Sequence, residues 1–143
     1  MEKSVKELLN KVYTVAEARA LNPLTLAYIG DGVFSGFIRK YLVAQGIHNV
    51  NHLTKKSVDY VKADAQSEMI RLLADSLTEE EAAIVRRGRN THSHAPKNAR
   101  VIDYRLATGL EALVGFLSLT GQEERLEALI VSGICSLEAQ KNA

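Results

Sequence analysis

The hydrophobic positions of the chain recur at helical intervals, and the alternation typical of a half-buried strand is hard to find. Two prolines, Pro23 and Pro96, interrupt 143 residues, so long stretches lack a helix-breaking residue. We therefore predict an all-α protein in which residues 1–143 form one domain. The predicted helices cover residues 3–12, 23–45, 51–74, 79–90, 99–120 and 122–140.

Several of these helices have capping signals at their ends. Asn22 can cap a helix whose first residue is Pro23, and Asn51 is predicted to cap the third helix. Thr78 with Glu81 three residues later is a capping box, which predicts that the fourth helix begins there. Glycine is the common residue just after a helix. The predicted terminators are Gly46 and Gly121.

Apolar residues three and four positions apart predict the inner faces of the helices. The first helix presents Val5, Leu8, Leu9 and Val12 on one side, the third has Leu53, Val61, Ala65, Met69 and Leu72 on its inner face, and the last has Leu126, Leu129, Ile130, Ile134 and Leu137. The apolar neighbours of Cys135 predict that its thiol is buried.

The composition is that of an ordinary globular protein, with 46% hydrophobic and 24% charged residues. The net charge of +1 gives no global attraction to nucleic acid or membrane, so any such binding needs a local patch. A single cysteine excludes a disulfide framework and favours the reducing cytoplasm. No stretch reaches the roughly 18 uncharged apolar residues of a membrane span, and the N-terminus lacks the pattern of a signal peptide.

Two apolar stretches each contain a single charged side chain. In residues 24–38 it is Asp31, and in residues 106–119 it is Glu111. A carboxylate in apolar surroundings needs a basic partner, hydrogen bonds or a cation. Carboxylates from two facing helices suit a hard divalent cation, and oxygen ligands suit Mg²⁺. We predict a shared Mg²⁺ site, with two exposed or hydrogen-bonded carboxylates as the alternative.

The segment from Arg86 to Arg100 contains five Lys or Arg residues, two histidines and no acidic residue. Arginine and lysine side chains neutralise phosphates, so this segment predicts contact with a phosphodiester backbone. A solvated loop is the alternative. His92 and His94 lack the further nearby ligands of a zinc site. With the lysines of the third helix, the candidate backbone contacts are Lys55, Lys56, Lys62, Arg86, Arg87, Arg89 and Lys97.

Two motifs resemble those of the ribonuclease III family. Residues Leu26–Phe34, LAYIGDGVF, resemble the motif LExLGDxxL, and Leu110–Gly115, LEALVG, resembles the second acidic motif, DxxEAxxG. The order of the motifs, their spacing and the helical setting also match, over about residues 20–130. Three basic stretches further resemble the compact Mini-ribonuclease III branch: RRGRN at 86–90, PKN at 96–98 and KKS at 55–57.

The resemblance implies roles for individual residues. Asp31 corresponds to the family's essential aspartate and Glu111 to its essential glutamate, both binding Mg²⁺. Ala27 and Thr108 stand where the wider family has two more acids, a difference shared by the compact branch. Thr108, one turn before Glu111, is predicted to hold a metal-bound water through its hydroxyl. Asn90, from the RRGRN stretch, completes the predicted RNA-binding set.

The resemblance also implies an activity and its partners. It implies a homodimer that cleaves double-stranded RNA, leaves 5′-phosphates and 3′-hydroxyls, and matures the precursor of large-subunit (23S) ribosomal RNA. Ribosomal proteins on that precursor are the other expected partners. The compact branch has no double-stranded-RNA-binding domain, and none is expected here.

Two other functions stay open at this point. The loss of two family acids is compatible with a catalytically inactive subunit that only binds RNA. A helical phosphohydrolase of small nucleotides is the other alternative, although no P-loop is present. Cleavage of duplex RNA with and without Mg²⁺ separates these alternatives from the endoribonuclease.

Overall fold

The computed structural model of the chain describes residues 3–91, 95, 97 and 100–142. These residues form α-helices, turns and one 3₁₀ turn, and no strand occurs among them, which confirms the predicted all-α class. The helices are α1 (Val5–Leu9), α2 (Val15–Arg19), α3 (Pro23–Ala44), α4 (Val50–Val61), α5 (Ala63–Leu73), α6 (Glu79–Asn90), α7 (Val101–Leu119) and α8 (Glu123–Lys141), with the 3₁₀ turn at Ala74–Ser76.

Helix α7 lies at the centre of the fold. It packs most extensively on α3, then on α6 and α5, and it is buried along most of its length. The core around it is made of large aliphatic and aromatic side chains from α3, α5, α6, α7 and α8. An apolar helix surrounded in this way needs no polar face, so Glu111 in its middle requires a specific explanation.

The predicted helix ends at four positions are confirmed. Asn22 Oδ1 accepts a hydrogen bond from the backbone N–H of Leu24 at 2.8 Å, and Pro23 is the first residue of α3. The Thr78 hydroxyl accepts from the Glu81 N–H at 3.1 Å, and Glu81 accepts in return from the Thr78 N–H at 2.9 Å. The two terminating glycines have positive φ, 93° at Gly46 and 71° at Gly121.

The predicted third helix is wrong in two respects. It begins at Val50 because Asn49, and not Asn51, caps it through a hydrogen bond from the His52 N–H at 3.1 Å. It also breaks into α4 and α5 at Lys62, where the backbone is extended (ψ 155°). The break changes the register of the inner face. Leu73 is therefore buried and the predicted inner residue Leu72 is 37% exposed.

The N-terminal prediction and the cysteine prediction are also wrong. Helix α1 ends at Leu9, and the predicted apolar side from Val5 to Val12 is exposed to solvent. The unpredicted α2 follows, capped by Thr14 with Glu17.

Cys135 is exposed because it lies about 100° around α8 from its buried neighbour Ile134. In the last helix, all five predicted inner residues are buried. None of the described helices is long and apolar enough to cross a membrane.

Candidate active site

Two glycines bring the backbones of α3 and α7 into direct contact. A Cβ atom built on Gly30 would overlap the carbonyl oxygen of Glu111, and one built on Gly115 would overlap the carbonyl oxygen of Leu26. No other residue fits at either position, since any side chain would push the two helices apart. Close approach of the helices places Asp31, next to Gly30, opposite Glu111.

Asp31 and Glu111 lie close to each other at the contact of α3 and α7. Asp31 is exposed at the surface of α3, whereas Glu111 is half-buried. Burial of Glu111, followed by its contact with the Asp31 carboxylate and the repulsion between the two charges, raises the pKa of Glu111 to about 8. The pair therefore lies at the border between solvent and core, and its inner member holds a proton at neutral pH until a positive charge arrives.

Gln66, on α5, is the third polar side chain at this position. It is 2% exposed, and its amide nitrogen donates to the carbonyl oxygen of Val61 at 2.9 Å. The Gln66 side chain also lies near the Glu111 carboxylate, and its amide lowers the pKa of Glu111, opposing the effect of burial. Three helices thus contribute to the site: α3, α5 and α7.

The two positions where the wider family has acids differ in environment. Ala27 is buried at 8% exposure and offers no ligand. Thr108 is also buried, and its hydroxyl donates to the Tyr104 carbonyl oxygen at 2.9 Å. The Thr108 oxygen retains acceptor capacity but its proton is committed to the backbone. Its predicted contact with a metal-bound water stays a prediction.

The basic residues of α4 and the following junction are exposed. Lys55 and Lys56 lie on the solvent side of α4. Lys62, at the break between α4 and α5, is also exposed, and its Nζ lies 3.9 Å from an oxygen of Asp64. An exposed ion pair of this kind holds the Lys62 side chain only weakly. Lys62, like the exposed Lys55 and Lys56, is therefore free to turn toward a phosphate.

The basic residues of α6 have different surroundings. Arg86 and Arg89 line a groove between α5, α6 and α7, with Arg71 of α5 on its other side. The Arg87 guanidinium instead donates to the carbonyl oxygens of Arg19 and Leu21, at 2.8 and 3.5 Å, which ties α6 to the end of α2 and the connection that follows it. Asn90 and Lys97 are exposed, while His92 and His94 lie outside the described residues.

A comparison with protein-family models matches residues 24–122 to the ribonuclease III domain. This match includes both helices of the carboxylate pair and spans more than half of the chain. The chain belongs to the ribonuclease III family. Ribonuclease III-type endonucleases hydrolyse RNA, so the chain is an endoribonuclease, and the family match favours this over an inactive subunit or a nucleotide phosphohydrolase.

Several relatives of this ribonuclease III chain carry the name Mini-ribonuclease 3. One from Thermoanaerobacter sp. is 46% identical over 141 residues, covering 96% of this chain and 99% of the relative. Another from Clostridium tetani is 46% identical over 127 residues, 87% of this chain and 84% of the relative. A crystal structure of a Fusobacterium nucleatum protein superposes with a TM-score of 0.73 at 33% identity, covering 78% of this chain and 92% of that one. The predicted resemblance is confirmed.

Sequence reasoning missed Gln66 and Asp103, which are among the buried polar residues of this ribonuclease III domain. Gln66 occupies a position three residues before Met69 and seven before Leu73, on the buried face of its helix. The available signal was a glutamine at a position where the helical spacing predicts a buried apolar residue. Asp103 is buried at the start of α7, with Arg71 and Arg100 each 3.9 Å from its carboxylate oxygens. No local pattern signals Asp103, because Arg71 is distant in sequence.

Proposed function

We propose that the chain is a Mg²⁺-dependent endoribonuclease that cleaves double-stranded RNA. The observation that carries this proposal is the placement of Asp31 and Glu111 against each other at the close contact of α3 and α7. Two carboxylates forced together at a partly dry position repel each other, and a cation between them removes that repulsion. The family match supplies the reaction class, and the carboxylate pair supplies the reacting position.

The residues at this position fit a hard divalent cation. The nearby donors are oxygens, from the carboxylates of Asp31 and Glu111. Among the described residues, no group of three or more His, Cys, Asp or Glu side chains is arranged to hold a metal ion. A site with two protein carboxylates suits Mg²⁺, which usually keeps several waters and takes further oxygens from substrate phosphates.

The chemistry divides between the cation and the protein. When bound, a divalent cation activates water as a nucleophile and stabilises negative charge on a phosphoryl oxygen. Asp31 and Glu111 would hold it, with Glu111 giving up its proton as the positive charge arrives. Gly30 and Gly115 keep the two carboxylates in register. Because Glu111 is half-buried, fewer water molecules can reach its carboxylate and compete with the cation for it.

The surface favours a duplex substrate. Lys55, Lys56 and Lys62 are exposed on or beside α4, where they can contact phosphates. Proteins that bind single strands stack bases on exposed aromatic rings. Of the eight aromatic side chains, all within the described residues, only Tyr28 is exposed. A-form RNA is recognised through its shape, its phosphates and its 2′-hydroxyls, which needs no such platform.

We further propose a homodimer. Tyr28 is 80% exposed on α3, three residues before Asp31. Further along, α3 and α4 form an open apolar groove whose lining residues include Val43, Val50, Leu53 and Val58. Exposed apolar surface of this kind is typical of an interface, and a two-fold axis would bury the same patch on both subunits. Two active sites on one dimer could then cut the two strands of one duplex.

The natural substrate we propose is the precursor of 23S ribosomal RNA, in the cytoplasm. This proposal rests on the resemblance to Mini-ribonuclease III, supported by the similarity to relatives of that name. Ribosomal proteins on the precursor stay a prediction.

The test is cleavage of an end-labelled RNA duplex by the purified protein. We expect cleavage in Mg²⁺ that leaves 5′-phosphates, none in EDTA, and little on the separated strands. With a ribosomal RNA precursor, mapped ends should lie in base-paired regions flanking the 23S sequence. Cleavage that persists in EDTA would contradict the metal dependence, and faster cleavage of single strands would contradict the duplex substrate.

A further inference from the structure

Gln66 joins the end of α4 to the candidate active site. The extended backbone at Lys62 ends α4, so the carbonyl oxygen of Val61 cannot receive the usual hydrogen bond from within a continuing helix. The amide nitrogen of Gln66 donates to that oxygen at 2.9 Å. The side chain is 2% exposed, so its position is fixed by packing as well as by this bond.

The other contacts of Gln66 determine which way its amide points. The amide nitrogen donates to the Val61 carbonyl oxygen, and its second N–H is available for the nearby Glu111 carboxylate. The carbonyl oxygen of the amide, Oε1, is then left over. It is buried and has no hydrogen-bond partner among the residues that the structure describes. A buried acceptor without a partner is rare in native proteins unless a water or ion uses it.

We propose that Gln66 is a positioning residue for the active site. One N–H of its amide is anchored on the end of α4, and the second holds the Glu111 carboxylate facing Asp31. This inference rests on the proposed function, since it takes Asp31 and Glu111 as the cation's ligands. Gln66 itself touches neither substrate nor cation.

The test measures Mn²⁺ affinity by electron paramagnetic resonance in the absence of RNA, comparing the wild type with Gln66→Met, Ser67→Ala and Asp31→Asn. Methionine keeps the volume and apolar stem of glutamine but lacks the amide. Ser67 is the matched control, because it is the next residue of α5, is fully buried, and has a hydroxyl with no partner among the described residues. Ser67→Ala thus reports on a general disturbance of α5.

We expect the Mn²⁺ dissociation constant to rise about tenfold in Gln66→Met and to change less than about twofold in Ser67→Ala. Duplex cleavage by Gln66→Met should fall by a similar factor at limiting Mg²⁺ and recover at saturating Mg²⁺. A merely structural role for Gln66 would lower the unfolding temperature without changing Mn²⁺ affinity. If Gln66→Met does not fold, Gln66→Asn takes its place, since it keeps the amide but is too short to reach both partners.

The outcomes separate this inference from the proposed function. If Gln66→Met, or Gln66→Asn in its place, binds Mn²⁺ as tightly as the wild type while Asp31→Asn does not, the positioning role is overturned and the metal site stands. If Asp31→Asn also binds Mn²⁺ like the wild type, the proposed metal site is wrong.

Discussion

At the residue scale, burial and the neighbouring Asp31 disfavour the charged form of Glu111 when no cation lies between the two carboxyl groups. The first cause of the raised pKa of Glu111 is its burial, and the second is its contact with Asp31. Such an arrangement lowers the stability of the folded protein, because the charged form of Glu111 is less favourable in the folded state than in the unfolded chain. The cost should be measurable as a function of pH.

We predict that Glu111→Gln makes the metal-free protein more stable at pH 8. The folded-state pKa of about 8 lies above the ordinary value of 4.5. The unfolded chain therefore loses its proton first as pH rises, and wild-type stability falls between those two pH values. The glutamine variant lacks this penalty. Its advantage should be small at pH 4.5 and about 2 kcal/mol at pH 8, after allowance for partial solvent screening.

The measurement is urea unfolding in EDTA across that pH range, with cleavage assayed in parallel. The variant should have lost duplex cleavage while gaining stability. Equal pH dependence in the wild type and Glu111→Gln would show that Glu111 is not the strained carboxyl.

The residues of the pair could be predicted from the sequence, but their environments could not. One charged residue in each of two apolar stretches was enough to select Asp31 and Glu111. That Asp31 is exposed and Glu111 half-buried depends on which side of each helix faces the neighbouring helices. The role of Gln66 depends on the helix break at Lys62 and on its proximity to Glu111, which is distant in sequence. Neither can be predicted from the residues next to Gln66.

At the scale of elements, the contact between α3 and α7 sets the geometry of the site. Its basis is a pair of glycines whose missing side chains let the two backbones touch. Glycine within a helix costs stability relative to alanine. Gly30 and Gly115 therefore serve close packing, and the sequence signal for each was its place within an acidic motif.

We predict that Gly30→Ala destabilises the protein by about 3 kcal/mol and lowers duplex cleavage, because the new methyl group overlaps the Glu111 backbone. Gly36→Ala is the matched control on the same helix. A Cβ there meets no atom within 4 Å, so alanine should add up to about 1 kcal/mol of stability. Urea unfolding of both variants checks the comparison. Equal stability of the two variants would contradict direct backbone contact at Gly30.

We also predict that Lys55→Ala and Lys56→Ala each weaken duplex binding and reduce its salt dependence. Every lysine that contacts a phosphate contributes about 1 to the slope of log affinity against log salt. Fluorescence anisotropy of a labelled duplex in Ca²⁺, repeated over a range of KCl concentrations, measures this slope. Lys6→Ala, on the exposed α1, is the control and should leave it unchanged. Slopes that match the wild type in all three variants would place the RNA elsewhere.

Helix type and most helix ends could be predicted, since caps and apolar spacing are local. The break at Lys62 could not, because the apolar pattern continues across it and no proline or glycine marks it. What stabilises the break is the hydrogen bond from Gln66 to Val61, a side-chain contact that propensities do not contain.

At the scale of the whole molecule, exposed apolar side chains occur on several helices, among them α1, α3 and α4. Tyr28 and Val50 are 80% and 72% exposed, respectively, on helices that also carry Asp31 and the α4 lysines. Val131, at 53% exposure, lies on α8. A dimer that buries Tyr28 would bring an interface close to the active site, so assembly and activity should be linked.

We predict that Tyr28→Ser weakens dimerisation at least about tenfold, since buried tyrosines are frequent hot spots of interfaces. Sedimentation velocity over a concentration series measures the effect. Val131→Ser removes an exposed apolar side chain from a different helix and should dimerise like the wild type. A wild-type protein that is monomeric at every concentration would rule out the proposed dimer.

The central claim is that Asp31 and Glu111 act together as the cation-binding pair of an endoribonuclease. Its most direct test is the single-turnover cleavage rate of an end-labelled RNA duplex at saturating Mg²⁺, compared between the wild type and Asp31→Asn. Asparagine keeps the shape of the side chain and removes its charge, and Lys40→Ala on the same helix serves as the control. We expect the cleavage rate of Asp31→Asn to be at least about 1,000-fold lower than that of the wild type, although the variant still binds the duplex. Lys40→Ala should cleave at the wild-type rate. Cleavage by Asp31→Asn within about tenfold of the wild-type rate would contradict the account.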